Sequence, residues 1–475
     1  MTFQAITTHQ SSTYLIQDNN YFVLIPDIYV RSSGDGFRGS PTRSDLQLTG
    51  ATLTVLGTVA AGETGVDFFS LSTSAVQCTI LVGSSGAVHA ALGGIIVDAG
   101  NGNSIVNYGE VASGGYALYL GGGGTGNRME NHGQITLTGS APQSALWVGA
   151  GASPVFMVNS GIISGLPGAG RALVESLSPM SFSNTGSILA QGNVAIQGSV
   201  TYADTVTNSG MIQGDTYLGD GDDRLFNSGM ILGKVSLEEG ADYYRALGDS
   251  AATEFVTGGS GSDTLQGGNL SDQLSGDAED DLVRGLGGDD VLYGGSGNDT
   301  VNGGEDNDTI RGGSGNDRLT GDNGDDDING DAGADDIFGG NGDDTLRGGD
   351  DADRLFGGAG QNDLYGQGGR DVIYAQSGED TIIFQSVSDS AVGAQRDVIR
   401  GFTPGQDLID LASVAPGILS YIGASAFSGA AREVRVLELS TGSSLIQVDT
   451  DGDGTGDTEI LTALTHGLTE ADFIL

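Results

Sequence analysis

One cysteine, Cys78, and one lysine, Lys234, stand in a chain of 475 residues. A lone cysteine excludes an intrachain disulfide and a cysteine-built metal site, and is expected as a small buried side chain. The shortage of lysine leaves 18 basic against 62 acidic side chains, a formal charge of −44. Such acidity argues against nucleic acid or an anionic membrane surface as partner and favours cations. No apolar run reaches the length of a transmembrane helix, and no long amphipathic helix of a pore-forming toxin is visible. The opening, MTFQAITTHQ, has neither a basic stretch nor an apolar core, so no cleavable signal peptide is expected there. The four histidines, His9, His89, His132 and His466, form no H-E-x-x-H, and His132 is expected as a surface residue of a turn. Neither a G-x-S-x-G elbow nor a phosphate-cradling loop is present.

What the chain has instead is glycine, 84 residues of it, and a nine-residue beat of aspartate. From 258 to 383 an acidic slot recurs at Asp263, Asp272, Asp281, Asp290, Asp299, Asp308, Asp317, Asp326, Asp335, Asp344 and Asp353, then Asn362, Asp371 and Asp380. Two residues after each comes an aliphatic: Leu265, Leu274, Val283, Leu292 and so on to Ile382. The cleanest units read GGSGSDTLQ (258–266) and GGSGNDTVN (294–302). Glycine permits the positive φ of a tight turn. The unit therefore divides into a six-residue turn and a three-residue strand whose middle residue points inward. Two units make one coil of a flattened parallel solenoid. The aspartates of alternate units then stack in columns that repel themselves. A hard divalent cation between turns, held by carboxylates and backbone carbonyls, relieves that repulsion. All-oxygen ligation in an open loop suits calcium.

This pattern resembles the RTX, or hemolysin-type, nonapeptide GGxGxDxUx, a calcium-binding β-roll repeat. Three units depart from it. Leu270 stands where glycine is usual, the unit 276–284 carries Asp277 and Glu279, and Asn362 lacks the charge.

A second, longer period runs from about 51 to 235. The phrase apolar-x-Asn-x-Gly-x-apolar recurs at Asn107, Asn131, Asn159, Asn184, Asn208 and Asn227. Steps in the twenties with short alternating strands suit a parallel β-helix of three strands per coil, with the asparagines hydrogen-bonded in a ladder at one corner. The nonapeptide-like LGDGDDRLF (218–226) and LEEGADYYR (237–245) add Asp223 and Asp242 as further candidate calcium ligands. Residues 1–50, with strand-like TYLIQ and YFVLIPDIYV, are expected to cap the first coil.

After Ile383 the nine-residue phase is lost. Asp397, Ile399, Phe402, Gly405, Asp407, Ile409, Asp410 and Leu411, with the tail Asp472, Phe473, Ile474 and Leu475, resemble the C-terminal region of serralysin-type secreted proteins. The resemblance implies export by type I secretion machinery through an uncleaved C-terminal signal. Asp449, Asp451 and Asp453 before Gly454, with Asp457 beyond, form a D-x-D-x-D-G loop of the kind that binds calcium. Ile460 stands where an EF-hand needs glutamate.

The expected fold is all-β: an N-terminal parallel β-helix stacked on a C-terminal RTX parallel β-roll. Its parts are a cap (1–50), the β-helix (51–235), a transition (236–257), the roll (258–383) and a C-terminal cap and secretion domain (384–475). The expected function is a secreted, extracellular or cell-surface calcium-binding protein that folds on meeting calcium outside the cell. Its role is structural, adhesive or matrix-forming, through polysaccharide or self-assembly, and not enzymatic. The alternative is a carbohydrate-active enzyme, a lyase or epimerase, on the β-helix. For that reading only Arg128, Arg171, Tyr116 and Tyr119 offer candidate side chains.

Overall fold

The computed structural model describes residues 79–475, apart from 92, 98–100, 122–123, 140–143, 152, 167–170 and the side chain of 193. Before residue 79 it describes only the backbone of the strands Tyr21–Leu24, Val30–Ser32, Phe37–Gly39, Ala51–Val55, Thr58–Ala61, Thr64–Phe68 and the start of Cys78–Val82. The cap expected over 1–50 and the burial of Cys78 therefore lie outside the described residues. The fold is all-β: among the described residues helix is confined to two 3-10 turns, Gly393–Gln395 and Glu470–Asp472. The chain divides into two compact units, 1–257 and 258–475.

In the first unit most coils contribute three strands, and in two others the second and third run on as one, Ser187–Gln197 and Met211–Tyr217. Ser104–Asn107, Glu110–Ser113 and Tyr116–Leu120 make one coil, and Arg128–Asn131, Gln134–Leu137 and Leu146–Val148 the next. Successive coils pair in parallel with Asn107 on Asn131, Glu110 on Gln134 and Leu118 on Leu146. Alternate residues face in, so Ile105, Met129, Met157, Phe182, Val206 and Leu225 form one buried stack. Each such side chain contributes about 1.5–3 kcal/mol by leaving water.

The corner is set by Asn-x-Gly. Each asparagine Nδ2 donates to the Oδ1 of the next: Asn107 to Asn131, Asn131 to Asn159, Asn159 to Asn184, Asn184 to Asn208 and Asn208 to Asn227, all at 2.8 Å. All six are fully buried, where an unpaired amide would be costly, so each satisfies its neighbour. The glycine two residues on is required by close approach: a Cβ on Gly161 would lie 2.0 Å from the carbonyl oxygen of Gly133.

In the second unit the strands alternate between two parallel sheets. One holds Leu282–Gly287, Thr300–Glu305, Arg318–Asn323, Asp336–Asn341 and Arg354–Gly360. The other holds Gln273–Ala278, Val291–Ser296, Thr309–Ser314, Asp327–Ala332, Thr345–Asp350 and Asp363–Gln367. The strands are longer than the three residues expected. Most run six, and two residues of each face inward, the aliphatic and the glycine two places on, as Leu292 and Gly294 do. That glycine opens the next nonapeptide, so strand and turn overlap.

The nine-residue phase ends, yet both sheets continue. Asp397–Arg400 pairs in parallel with Val372–Tyr374, and Leu408–Asp410 with Thr381–Ile383. The first sheet ends on Thr458–Ala463 and the second on Phe473–Ile474. Two antiparallel pairings, Glu433–Glu438 with Ser444–Asp449 and the latter with Thr458–Ala463, complete this end.

Candidate calcium-binding columns

Every slot aspartate of the roll sits on the flank of a strand with its carboxylate turned inward, and none is more than 4% exposed. The backbone N–H of each donates to Oδ1 of the slot residue eighteen places on. The first column links Asp263, Asp281, Asp299, Asp317, Asp335, Asp353 and Asp371 at 2.7–2.9 Å. The second links Asp272, Asp290, Asp308, Asp326, Asp344, Asn362 and Asp380 at 2.7–3.2 Å. One carboxylate oxygen is thus used by the fold.

The other oxygen is not. Oδ2 of Asp281, Asp290, Asp299, Asp308, Asp317, Asp326, Asp335, Asp344, Asp353, Asp371 and Asp380 is buried and receives no hydrogen bond. A Cβ on the glycine that opens the same unit would collide with it. At Gly285, Gly312, Gly321, Gly330, Gly339 and Gly348 that point lies 1.9–2.3 Å from Oδ2 and 2.4–2.8 Å from a glycine carbonyl oxygen of the next coil. An acidic oxygen and a carbonyl oxygen therefore converge beside a residue that has no side chain. This donor set is all oxygen and repeated, and it fits a hard cation such as calcium.

Without a cation the columns are electrostatically unfavourable. Burial, reinforced by neighbouring carboxylates, raises Asp281, Asp290, Asp353 and Asp371 to about 8. Asp308, Asp335 and Asp344 rise to about 7, and Asp317 and Asp326 to about 6. Desolvation is the larger cause throughout.

The departures from the repeat have local consequences. In the unit carrying Leu270, Asp272 keeps its place in the column, but its Oδ2 accepts the N–H of Gly268 at 2.7 Å and is not spare. Asn362 directs Nδ2 to Oδ1 of Asp380 at 2.8 Å, a neutral rung. Asp277, Glu279, Leu286, Asp306, Asp322, Asp331, Asp351 and Gln367 adopt positive φ in slots that other units fill with glycine. Five of the eight are aspartate, which tolerates that region better than bulkier residues.

Outside the roll, Asp223 and Asp242 share the same geometry. The N–H of Asp204 donates to Asp223 and that of Asp223 to Asp242, at 2.6 and 2.7 Å. Asp223 Oδ2 is buried without a donor, and burial raises its carboxyl to about 9. Asp204, which has no nonapeptide around it to mark it, starts this run. Both its oxygens are taken, by the N–H groups of Met180 and Ser199.

At the far end the columns receive members that no repeat signals. Asp371 N–H donates to Asp397 Oδ1 and Asp380 N–H to Asp407 Oδ1, at 2.8 and 3.1 Å. Asp397 Oδ2 is again buried and without a donor, while Asp407 Oδ2 accepts Thr403 N–H. Asp472 accepts the N–H groups of Gly405 and Thr469 and pins the tail.

A second ladder, on the residue before the slot, went unread in the sequence. Asn298 N–H donates to Asp280 Oδ1, Asn316 N–H to Asn298 and Ala334 N–H to Asn316. On the other edge the series is Asp289, Asn307, Asp325, Asp343 and Gln361. Here each side chain reaches toward the following coil, opposite in sense to the slot ladder.

Asp449, Asp451 and Asp453 bring one carboxylate oxygen each within 4.8 Å of one another. Both oxygens of Asp449 already accept backbone N–H groups, from Gly452 and Gly454. Asp457 is not one of this group, and its Oδ2 accepts the N–H and hydroxyl of Thr450. On the β-helix, Tyr119 stacks on Trp147 at 4.6 Å, while Tyr116 meets Tyr119 edge-on and Trp147 at a tilt. Arg128 pairs with Glu130, and Arg171 with Glu175.

The family comparison agrees with this geometry. A family model described as the RTX calcium-binding nonapeptide repeat matches overlapping blocks that together run from 250 to 390. None of the curated proteins matches the chain. Among solved structures, the AlgE6R3 subunit of the Azotobacter vinelandii mannuronan C5-epimerase is similar at 23% identity and a TM-score of 0.15, over 36% of this chain and 78% of that one. Residues 250–390 are RTX calcium-binding nonapeptide repeats, and calcium is the ion they take.

Proposed function

We propose that this is a secreted calcium-binding protein of structural, adhesive or matrix-forming role, whose roll folds when it meets calcium outside the cell. The observation that carries the reading is the row of buried Oδ2 atoms without hydrogen-bond donors. A carboxylate in that position is costly alone and favourable beside a cation. The ligands are the slot aspartates from Asp263 to Asp380, with Asp272 and Asn362 the weak rungs, and Asp223 an outlying member. In the cytosol, at low calcium, repulsion keeps the columns apart and the chain fit for export by type I secretion machinery. Outside, at the calcium levels that suit weak extracellular modules, the ions bind and the coils close. RTX repeats are typical of secreted proteins, and among the described residues no helix is long and apolar enough to cross a membrane.

The test is circular dichroism of the purified chain during calcium titration, with ion uptake followed by native mass spectrometry. A coil-to-β transition coupled to uptake of many ions is expected. A roll equally folded in chelator overturns the mechanism. Incubation with acidic polysaccharides then separates roles: binding or self-assembly without cleavage or epimerisation is the expected result.

A further inference from the structure

One cluster on the first unit plays no part in calcium binding. At the Asn-x-Gly corner the middle residues of successive coils stack, and two of them are His132 and Ser160. His132 Nδ1 lies 2.6 Å from Ser160 Oγ, and its Nε2 lies 2.8 Å from Glu130 Oε2. Glu130 in turn accepts from Arg128 Nε. The Arg128 and His132 bonds outweigh partial burial and hold the Glu130 carboxyl below its ordinary value. An ionised carboxylate at Nε2 fixes the proton there. Nδ1 is then the lone-pair side and accepts the Ser160 hydroxyl proton. The imidazole is further held by Tyr108, stacked on it at 4.8 Å and 17°.

This is the order of groups that activates a hydroxyl: nucleophile, base, and an acid that orients the base. Ser160 is exposed, so its oxygen is open to a reagent from solvent. We infer that Ser160 is an activated nucleophile, a site that accepts an acyl group from an ester. In the step, Oγ bonds to the ester carbonyl carbon while its proton passes to His132 Nδ1. The carbon–oxygen bond to the leaving group then breaks, and the departing alkoxide takes the proton back from Nδ1.

The same corner limits the chemistry. The N–H groups of Ser160 and Gly161 both donate to Asn131 O, and those of Thr185 and Gly186 both to Asn159 O. No backbone donor at the corner is left for the oxyanion of a tetrahedral intermediate. The site therefore takes reactive esters, not amides.

The fold supplies its own control. Ser209 is exposed at the same corner position, but its stacked neighbours are Thr185 and Ser228. The experiment is brief exposure of the calcium-loaded full chain to p-nitrophenyl acetate, with acetylated peptides quantified by mass spectrometry. Lys234 is the only lysine that competes. Ser160 is expected to acetylate about a hundredfold faster than Ser209, the scale of general-base assistance. His132→Gln is expected to bring Ser160 down to the Ser209 rate and leave Ser209 unchanged. Equal rates at the two serines in the unaltered chain, or a Ser160 rate indifferent to His132→Gln, overturn the inference. Either result is independent of the calcium reading, which is tested on the other unit.

Discussion

The backbone N–H of Asp371 donates to Oδ1 of Asp397 at 2.8 Å, across 26 residues where the repeats use 18. The column therefore passes out of the repeats into a segment with no repeat of its own. Asp397→Ala leaves that buried N–H without its acceptor, a cost of about 1–3 kcal/mol. Its expected signature is a calcium-folding midpoint moved to higher calcium in circular dichroism. Arg311→Ala, on the exposed face, leaves the midpoint in place.

Asp317→Asn separates the two jobs of a slot carboxylate. The amide oxygen still accepts the N–H of Asp299, but the charge is gone. In chelator the variant gains stability, because a buried carboxylate no longer has to be desolvated. In saturating calcium it loses, with affinity down by about 10–100-fold at that rung. Circular dichroism reads both signs, as β-structure kept to higher pH in chelator and a calcium midpoint moved up at neutral pH, and a variant stabilised in both conditions or destabilised in both contradicts the ligand role.

Protons can replace calcium in part. The slot carboxyls titrate higher in the folded roll, at about 6 for Asp317 and about 8 for Asp290, Asp353 and Asp371, than near 4 in an unfolded chain. The folded state then binds more protons, so stability rises as pH falls through that window. It is fully present below the unfolded value and lost as pH climbs through the folded ones. In chelator, β-structure is expected at about pH 5 and lost by about pH 8. A chelated chain equally unfolded at both values goes against the buried carboxyls described here.

Backbone handedness gives a pair of opposite effects. Leu286 holds φ +83 with its side chain 40% exposed, so Leu286→Gly relieves left-handed strain of about 1 kcal/mol and gives up little burial. Gly315 holds φ +126, and its Cβ would lie 1.8 Å from Gly297 O, so Gly315→Ala costs about 2 kcal/mol or more. Thermal melts in saturating calcium should move up for the first and down for the second.

Asn159→Ala breaks the ladder of the first unit in the middle. Asn131 loses its side-chain acceptor and Asn184 its donor, both fully buried. A loss of about 2–4 kcal/mol is expected, summed over two orphaned groups. Hydrogen exchange of coils 128–137 and 180–189 should speed up while the roll keeps its protection.

The roll was legible because each slot of the nonapeptide answers a separate demand: glycine for the turn, aspartate for the column, aliphatic for the core. The asparagine ladder was legible for the same reason. What escaped has no fixed period. Asp397 and Asp407 join the columns at spacings of 26 and 27. Asp204 begins its run without a glycine turn like those of the roll. His132 meets Ser160 only because coils 28 residues apart stack in register. The six-residue strands were read as three because the inward glycine looks like turn until its neighbour in space is known.

The two slot columns alternate, one on each sheet, so the roll distinguishes odd from even. Removal of a single nonapeptide, such as 312–320, would leave every later strand well formed but on the opposite sheet from before. Asp397 and Asp407 would exchange columns, and the whole closing segment would be carried half a turn around the axis relative to Thr264–Gln266. Removal of eighteen residues restores its facing. Viable length variants of this roll are therefore expected to differ by whole coils, and a lone nine-residue gain or loss should be tolerated by the core yet reverse the direction in which the C-terminal end is presented.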